Sequence, residues 1–309
     1  MELILTNKNG QTLDLLNNTQ YFVLSKCEAL HGINTDIQEV SSPYLDGTII
    51  EGVKAMPRGI SMTFKLIPDI KGSIEFFTNI VKSKQYVTLT ETENNNSITI
   101  KGIATIPPYT RMMSMCEIQL DIYCGQPYWE DLNQVIADIS MFISLLNFPI
   151  PNGQYFTPTG RVFGIVDVNA TKTFTNSGDV SVGMNIKITA LDSITNPCIA
   201  CSSGNQVGWY MWLDLTLQKN DEVEINTIRG SKYITINGSS TYNGQPVLSY
   251  LNFNGTDWLQ LETGDNTFNV GEFDESTSQV VPSENIYFTI TYRRRYEWFL
   301  MLRLLVNIL

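Results

Sequence analysis

Short stretches in which apolar and polar residues alternate with a period of two recur along the chain, as at 60–66, 116–124 and 211–217. Alternation of this kind is typical of antiparallel strands with one buried and one solvated face. Asn-Gly dipeptides favour tight hairpin turns, and the one at 237–238 follows a run rich in β-branched residues. The pattern predicts a mostly β protein with minor helix.

Two segments depart from this alternation and have helical spacing instead. Residues 73–82 place Ile74, Phe77 and Val81 on one face, and residues 133–146 carry a similar apolar series. The second segment is followed at 147–160 by a stretch rich in proline and glycine, which predicts a linker. The predicted organisation is therefore an N-terminal domain over 1–130, a helix and linker over 131–160, and a C-terminal β-sandwich over 161–309.

Composition narrows the possible functions. The 309 residues are 43% hydrophobic, and 31 acidic against 20 basic residues give a net charge of −11. A surface this acidic repels phosphate backbones, which disfavours sequence-specific binding of nucleic acid. The single histidine, His31, excludes most zinc sites and most Ser-His-Asp chemistry. We therefore expect no enzymatic activity, no cofactor and no metal.

The cysteines predict no redox or disulfide chemistry. Five cysteines at irregular spacing do not form a disulfide framework. Cys198 and Cys201 form a Cys-x-x-Cys motif within β-rich sequence, where the helix N-terminus that lowers a thiol pKa is missing. The N-terminus lacks the features of a secretory leader, and the apolar run at 298–309 is too short to span a bilayer. These observations predict maturation in a reducing cytoplasm and no membrane span.

Other candidate chemistry has an ordinary structural explanation. Carboxylate pairs such as Glu91 and Glu93 fall on polar strand faces or beside turns, where solvated charge is expected. The tryptophans at 209, 212 and 258, with Tyr210, could stack on sugar rings, although aromatic residues of a β-sandwich more often fill its core. From the residues alone, the chain is an acidic, two-domain assembly or binding protein whose partner stays open.

Several motifs, in order along both domains, resemble the distal tail protein (Dit) family of siphophage-type tails. In the N-terminal half they are Asp46-Gly47, Pro57-Arg58 before a strand, and the run at 126–129. In the C-terminal half they are the turn at 176–179, the strand at 222–227, and Thr-Tyr-Arg-Arg-Arg-Tyr at 291–296. Each motif is short, but their order and spacing cover most of the chain.

The resemblance implies a structural protein of a phage or prophage tail. Its N-terminal domain would build a hexameric ring with a channel for DNA, and its C-terminal domain would be a galectin-like or carbohydrate-module-like sandwich. The implied partners are other copies of the chain, the tail-tube protein, the tail-associated lysin or baseplate proteins, and a receptor-binding protein. Assembly would occur in the host bacterial cytoplasm, and the mature location would be the virion tail. The interface candidates are Asp46, Gly47, Pro57, Arg58, Tyr292, Arg294 and Tyr296.

Three further expectations accompany this interpretation. Arg58 is either a bidentate ion-pair partner across a ring interface or a solvated arginine at the start of a strand. The run at 298–309 is expected to be buried against another subunit or the chain's own domain. The alternative function is a host-surface carbohydrate-binding module used in host adsorption, but not one of the galectin kind, because the only histidine lies in the other domain.

Overall fold

A computed structural model describes residues 2–42, 44, 46–67, 70–107, 116–139, 142–144, 156–157, 160–161, 164–166, 171–238, 242, 247–255 and 257–297. The chain divides into two compact units. The first comprises the residues up to Asn133 together with the C-terminal segment from Arg295, and the second is Gln134–Arg294. None of the described helices is long and apolar enough to cross a membrane.

The first unit is built on a nine-stranded antiparallel sheet and carries an α-helix. Its elements up to residue 131 are β1 (Glu2–Asn7), β2 (Thr12–Asp14), β3 (Phe22–Glu28), β4 (Thr35–Ser41), β5 (Thr48–Ala55), β6 (Arg58–Leu66), α1 (Ile70–Ile80), β7 (Gln85–Glu93), β8 (Asn96–Thr105), β9 (Glu117–Cys124) and β10 (Trp129–Asp131). The main sheet runs in the order β2-β1-β7-β8-β9-β6-β3, and β10 pairs with β8. Strands β4 and β5 pair only with each other.

The core of the first unit lies between the helix and the inner face of this sheet. Alternate residues of β6 and β9 point inward, as the period-two pattern predicts. Phe77 of α1 is fully buried and its ring meets those of Phe22 and Phe64. The predicted helix at 73–82 is thus confirmed as α1, because its apolar stripe covers the sheet.

The second unit is a sandwich of two antiparallel sheets. Its strands are β11 (Val135–Asp138), β12 (Phe142–Ser144), β13 (Phe156–Thr157), β14 (Gly160–Arg161), β15 (Gly164–Val166), β16 (Thr171–Asn176), β17 (Asn185–Ala190), β18 (Ile194–Thr195), β19 (Pro197–Cys201), β20 (Tyr210–Leu213), β21 (Thr216–Leu217), β22 (Glu222–Asn226), β23 (Tyr233–Asn237), β24 (Leu251–Asn254), β25 (Gly264–Asp274), β26 (Gln279–Val281) and β27 (Ile286–Tyr292). Two 3₁₀ turns occupy Gly204–Gln206 and Val247–Tyr250.

One sheet of the sandwich has the order β11-β27-β17-β22-β23, and the other has the order β16-β25-β19-β20-β24 with β26 beside β25. Both sheets contribute inward-facing side chains to a single apolar core, for example Ile188 and Phe288 from the first and Met211 and Phe268 from the second. The mostly β fold class predicted from the sequence is confirmed.

The structure corrects the prediction of a helix at 133–146. Residues 135–138 form β11, which pairs with β27, and residues 142–144 form β12, which pairs with β15. A short apolar run fits either period, and here the free edge of β27 supplies backbone hydrogen-bond partners that favour a strand. Most of the predicted linker at 147–160 and the apolar run at 298–309 lie outside the described residues.

The last described strand, β28 (Arg295–Tyr296), pairs with β10 in the first unit. The sequence-based division had placed it with the C-terminal domain. The chain therefore begins and ends its described part in the same unit, with the sandwich inserted between Asn133 and Arg295.

We expect Gly102→Ala to destabilise the first unit by about 1–3 kcal/mol, because a new methyl group would overpack its core. A Cβ at Gly102 would lie 2.6 Å from Cγ2 of Ile122 and 2.8 Å from the backbone oxygen of Tyr123. Gly59→Ala is the matched control, since nothing lies within 4 Å of a Cβ at this strand position. Chemical denaturation of both variants checks this; equal stability would contradict it.

Candidate assembly interface

The first unit carries a hairpin with no core of its own, which we call the arm (residues 35–55, comprising β4, β5 and the residues that connect them). No described residue of β4 or β5 is buried. The arm instead exposes six large apolar side chains, those of Ile37, Val40, Tyr44, Ile49, Ile50 and Val53. An isolated two-stranded hairpin is marginally stable in water, and exposed apolar clusters of this kind mark interaction surfaces.

Apolar side chains lie on both faces of the arm. Ile37 pairs with Val53, and Val40 pairs with Ile49 after a shift of register between Gln38 and Glu39. Because residues 37 and 40 differ by an odd number, their side chains point to opposite faces of the hairpin. The arm can therefore be covered on either side by a partner.

Asp46 and Gly47, two of the predicted interface residues, lie at the outer end of the arm directly before β5. Gly47 has φ of +92°, in the left-handed region that glycine adopts without strain. The other pair of predicted residues, Pro57 and Arg58, lies at the opposite end, where the chain leaves the arm and enters β6. Asp46-Gly47 and Pro57-Arg58 thus lie at opposite ends of one hairpin.

The base of the arm is closed by backbone and side-chain hydrogen bonds. The backbone N–H of Met56 donates to the carbonyl of Asn34 at 2.8 Å. The Arg58 guanidinium donates through Nη1 to the carbonyl of Leu30 at 2.6 Å, and the same carbonyl accepts from the indole of Trp129 at 3.1 Å. These contacts fix the chain just before the arm to the strand just after it.

Arg58 itself is not a solvated strand-start residue, and its guanidinium forms hydrogen bonds inside its own unit. Its side chain is 3% exposed, and Nη2 donates to the carbonyl of Glu297 at 3.2 Å within the same unit. Burial is the first cause that lowers its pKa. These contacts give Arg58 an anchoring role at the arm base, and an ion pair with a neighbouring subunit stays a prediction.

The three C-terminal candidates fall into different units. Tyr296 is buried in the first unit, where it pairs with Trp129 and its hydroxyl donates to Asp131 at 3.1 Å. Tyr292 is buried in the second unit and donates to the carbonyl of Thr175 at 3.3 Å. Arg294, also in the second unit, donates to the hydroxyl of Ser177 at 2.9 Å. All three have a structural role inside their own unit, and Tyr296 belongs with Arg58 to the arm base.

A buried carboxyl group lies near the same base, and it corrects the expectation that Glu91 is solvated. Its side chain is fully buried and neither carboxylate oxygen has a hydrogen-bond partner among the described residues. Nε2 of His31 lies 3.8 Å from Oε1 of Glu91. Burial, followed by the charge of Glu93, raises the pKa of Glu91 to about 7, while burial and Arg58 lower the pKa of His31.

The cysteines considered for redox or metal chemistry have packing roles in the structure. Cys116 and Cys124 are buried in the core of the first unit, as predicted. Cys198 and Cys201 are buried in β19, and burial raises the pKa of both thiols. Among the described residues, no cluster of three His, Cys, Asp or Glu side chains could hold a metal ion.

The four aromatic residues considered for sugar stacking occupy different environments in the sandwich. Trp258 belongs to the core and Trp209 packs against it. Trp212 and Tyr210 are half-buried, and both rings contact Phe273, that of Trp212 in a stacked arrangement with centroids 4.9 Å apart. Only Trp212 and Tyr210 of the original set lie outside the core.

Sequence reasoning missed the apolar side chains of the arm and the burial of Glu91. A signal existed for Glu91: it continues the apolar positions Val87 and Leu89 of β7 with the period of two that places them inward. The apolar residues of the arm do not alternate regularly and occupy both of its faces, so its pattern does not identify a buried side.

Residues 177–296 match the model of the siphovirus-type tail component family over its C-terminal domain. The SPP1 Dit (gp 19.1) protein, described as a paradigm of the hub adsorption apparatus in phages that infect Gram-positive bacteria, has a TM-score of 0.59 and 14% sequence identity; the match covers 94% of this chain and 98% of that one. Chains of the phage P2 baseplate in its activated conformation, with Ca and with Sr, give a TM-score of 0.44 and 12% identity over 96% of this chain and 99% of theirs. No curated protein matches the sequence.

We expect Glu91→Gln to be more stable than the parent at pH 8 by about 1–2 kcal/mol, with the advantage lost near pH 5. A carboxyl whose pKa is raised from 4.5 to about 7 stabilises the fold below its unfolded pKa, and this contribution is lost as the pH rises through 7. The amide is neutral throughout and removes that loss. Thermal unfolding from pH 5 to 8 measures the difference, and Glu117→Gln, at an exposed position of β9, is the control. A pH-independent difference for Glu91→Gln would contradict the assignment.

Proposed function

We propose that the chain is a member of the siphovirus-type tail component (Dit) family and the ring-forming hub of a phage tail, because residues 177–296 match the model of that family and the fold is similar to that of the SPP1 Dit protein. Six copies would form a closed ring between the tail tube and the tip or baseplate. The first unit would build the ring, and the sandwich would project from it. The number six comes from the resemblance of the sequence motifs to the family.

The observation that carries this proposal is the arm. Its six exposed apolar side chains are attached to a rigid base but covered by nothing in the described part of the subunit. A neighbouring copy in a closed ring would cover the same surface on every subunit and leave no free end. A permanent interface of this kind buries on the order of 2,000 Å² or more.

The charge of the chain suits a ring that DNA passes through. The net charge is −11, so the protein as a whole does not attract phosphate. A cationic channel would retain DNA with salt-dependent affinity, whereas an acidic or neutral channel allows it to move. The proposed partners are therefore proteins: other copies of the chain, the tail-tube protein, and the tail-associated lysin, baseplate or receptor-binding proteins. Assembly would take place in the host cytoplasm before the ring enters the virion.

A second candidate function, glycan binding by the sandwich during host adsorption, is favoured by Tyr210 and Trp212. Both side chains are partly exposed on the face of β20 that points away from the core. Aromatic rings at such positions can stack on sugars. The ring proposal is stronger because it accounts for a larger uncovered apolar surface.

If the second candidate is correct, a glycan array will show binding that Trp212→Ala abolishes. We expect no galactoside-specific signal, because the only histidine of the chain lies in the first unit and galectin-type recognition requires one beside the sugar. Trp258→Ala would not be informative, since Trp258 is buried and its loss would damage the core. A galactoside signal lost in Trp212→Ala would contradict this expectation.

For the ring, we expect the full chain to have the mass of a hexamer by light scattering at micromolar concentration, and to appear as a ring in negative stain. Replacing residues 35–55 by an Asn-Gly turn should give a folded monomer. The deletion is feasible because Asn34 and Met56 already share a backbone hydrogen bond, which a two-residue turn can close.

The control for this deletion is the double variant Ile37→Ser with Val53→Ser, which keeps the length of the arm and removes one apolar pair. It should also lose assembly while keeping the far-UV circular dichroism spectrum of the parent, because the changed side chains are exposed. A parent that is monomeric even with the tail-tube or tip partner present would refute the ring. A deletion variant that still forms rings would refute the role of the arm.

A further inference from the structure

A second uncovered apolar surface lies on the outer face of the main sheet of the first unit. Three residues directly opposite one another on adjacent strands form it: Tyr86 of β7 faces Ile103 of β8, which faces Tyr123 of β9. We call this row the tyrosine stripe. The two tyrosine side chains are 70% and 59% exposed, and the stripe continues to Gly59 of β6, which pairs with Tyr123.

The outward direction of the stripe follows from the burial of its chain neighbours. Val87 and Ile122, adjacent to Tyr86 and Tyr123, are buried in the core. Because consecutive side chains of a strand point to opposite faces, the stripe residues face away from the core. The register of three strands, and not a local cluster in the sequence, therefore brings these side chains together.

A ring of identical subunits joined head to tail needs two different surfaces on each copy, one for each neighbour. The arm is one such surface. We propose that the tyrosine stripe is the other, so that the arm of one subunit packs on the tyrosine stripe of the next. This inference rests on the proposed ring and names the contact that closes it.

The shapes and chemistry of the two surfaces agree. The stripe crosses three strands, about 10 Å, and the two strands of the arm are about 5 Å apart, so the hairpin fits across it. Tyrosine rings offer flat apolar area to the β-branched side chains of the arm, and their hydroxyl groups can donate to its carboxylates. At Gly59, where a Cβ would meet nothing within 4 Å, the surface beside Tyr123 is open.

The charges are complementary as well. The arm contains four acidic residues and a single lysine, Lys54. Two exposed lysines lie within two residues of the stripe: Lys84 directly before β7, and Lys101 on the same face of β8 as Ile103. The one acidic residue within the same distance on these strands is Asp121 of β9, so the lysines outnumber it. Opposite charge around an apolar contact fixes orientation and accelerates association. A second acidic arm would be repelled by the first, which disfavours arm-to-arm pairing.

The test uses two double variants and one single variant of the full chain. The stripe variant carries Tyr86→Ser and Tyr123→Ser, the arm variant carries Ile37→Ser and Val53→Ser, and the control is Val23→Ser. Val23 is a 46% exposed apolar residue on strand β3 of the same sheet, away from the stripe. All the changed side chains are exposed, so we expect the variants to fold.

Sedimentation should show the parent and the Val23→Ser control as rings, and the stripe and arm variants as monomers or assemblies weakened at least about tenfold. Rings formed by the stripe variant at the concentration of the parent would overturn this inference and leave the ring itself intact. A monomeric parent would overturn both, which distinguishes the two failures.

Pairing between the two surfaces is tested by cross-linking two variants. They are made with different chain lengths so that a product joining one of each can be recognised by its size. One carries Val53→Cys in the arm and the other Tyr86→Cys in the stripe, and a short bismaleimide should join them into a product of mixed length. Val53→Cys with Val23→Cys should give no such product. The parent measures the background from Cys27, which is the one partly exposed cysteine in the described part of the chain. Absence of the mixed product from assembled rings would also overturn the inference.

Discussion

The buried guanidinium of Arg58 links separate segments of the first unit at the base of its arm. It donates to carbonyl groups from two distant parts of the chain, Leu30 before the arm and Glu297 near the C-terminus. A buried cation is costly unless it is hydrogen-bonded, and a planar guanidinium can serve two acceptors at once. The direction in which the arm leaves the unit depends on this contact.

The same region shows why the last strand of the chain returns to the first unit. β28 pairs with β10, Arg295 forms an ion pair with Glu130 at 2.8 Å, and the Tyr296 hydroxyl bonds to Asp131. Both ends of the described part of the chain thus belong to one unit, with the sandwich as an insertion. Glu91, buried near His31, adds a group whose charge is unfavourable in this setting, so its ionisation makes the stability of the unit depend on pH.

Exposed apolar surface links this architecture to assembly. A hairpin without a core and a row of outward-facing tyrosines would both lower the solubility of an isolated subunit. Closed symmetry covers every such surface once and leaves none at an end, which is how edge-rich β proteins avoid open-ended aggregation. In the proposed tail hub, both surfaces would therefore be covered in the assembled state.

The sequence by itself determined the class of the fold, because period-two alternation in β6 and β9 and the apolar stripe of α1 report local geometry that each segment imposes alone. It also marked Asp46-Gly47 as a turn and Pro57-Arg58 as a strand entry, since such residues are short-range signals, but it did not predict the hairpin that they border. The segment at 133–146 was misjudged because a brief apolar run fits two periods, and the edge of β27 decided between them. Only the tertiary structure decided that Arg58 and Glu91 are buried. It also decided that Tyr86 and Tyr123 are aligned across β8. Each depends on the register of strands far apart in the chain, and register is set by the packing of the whole sheet.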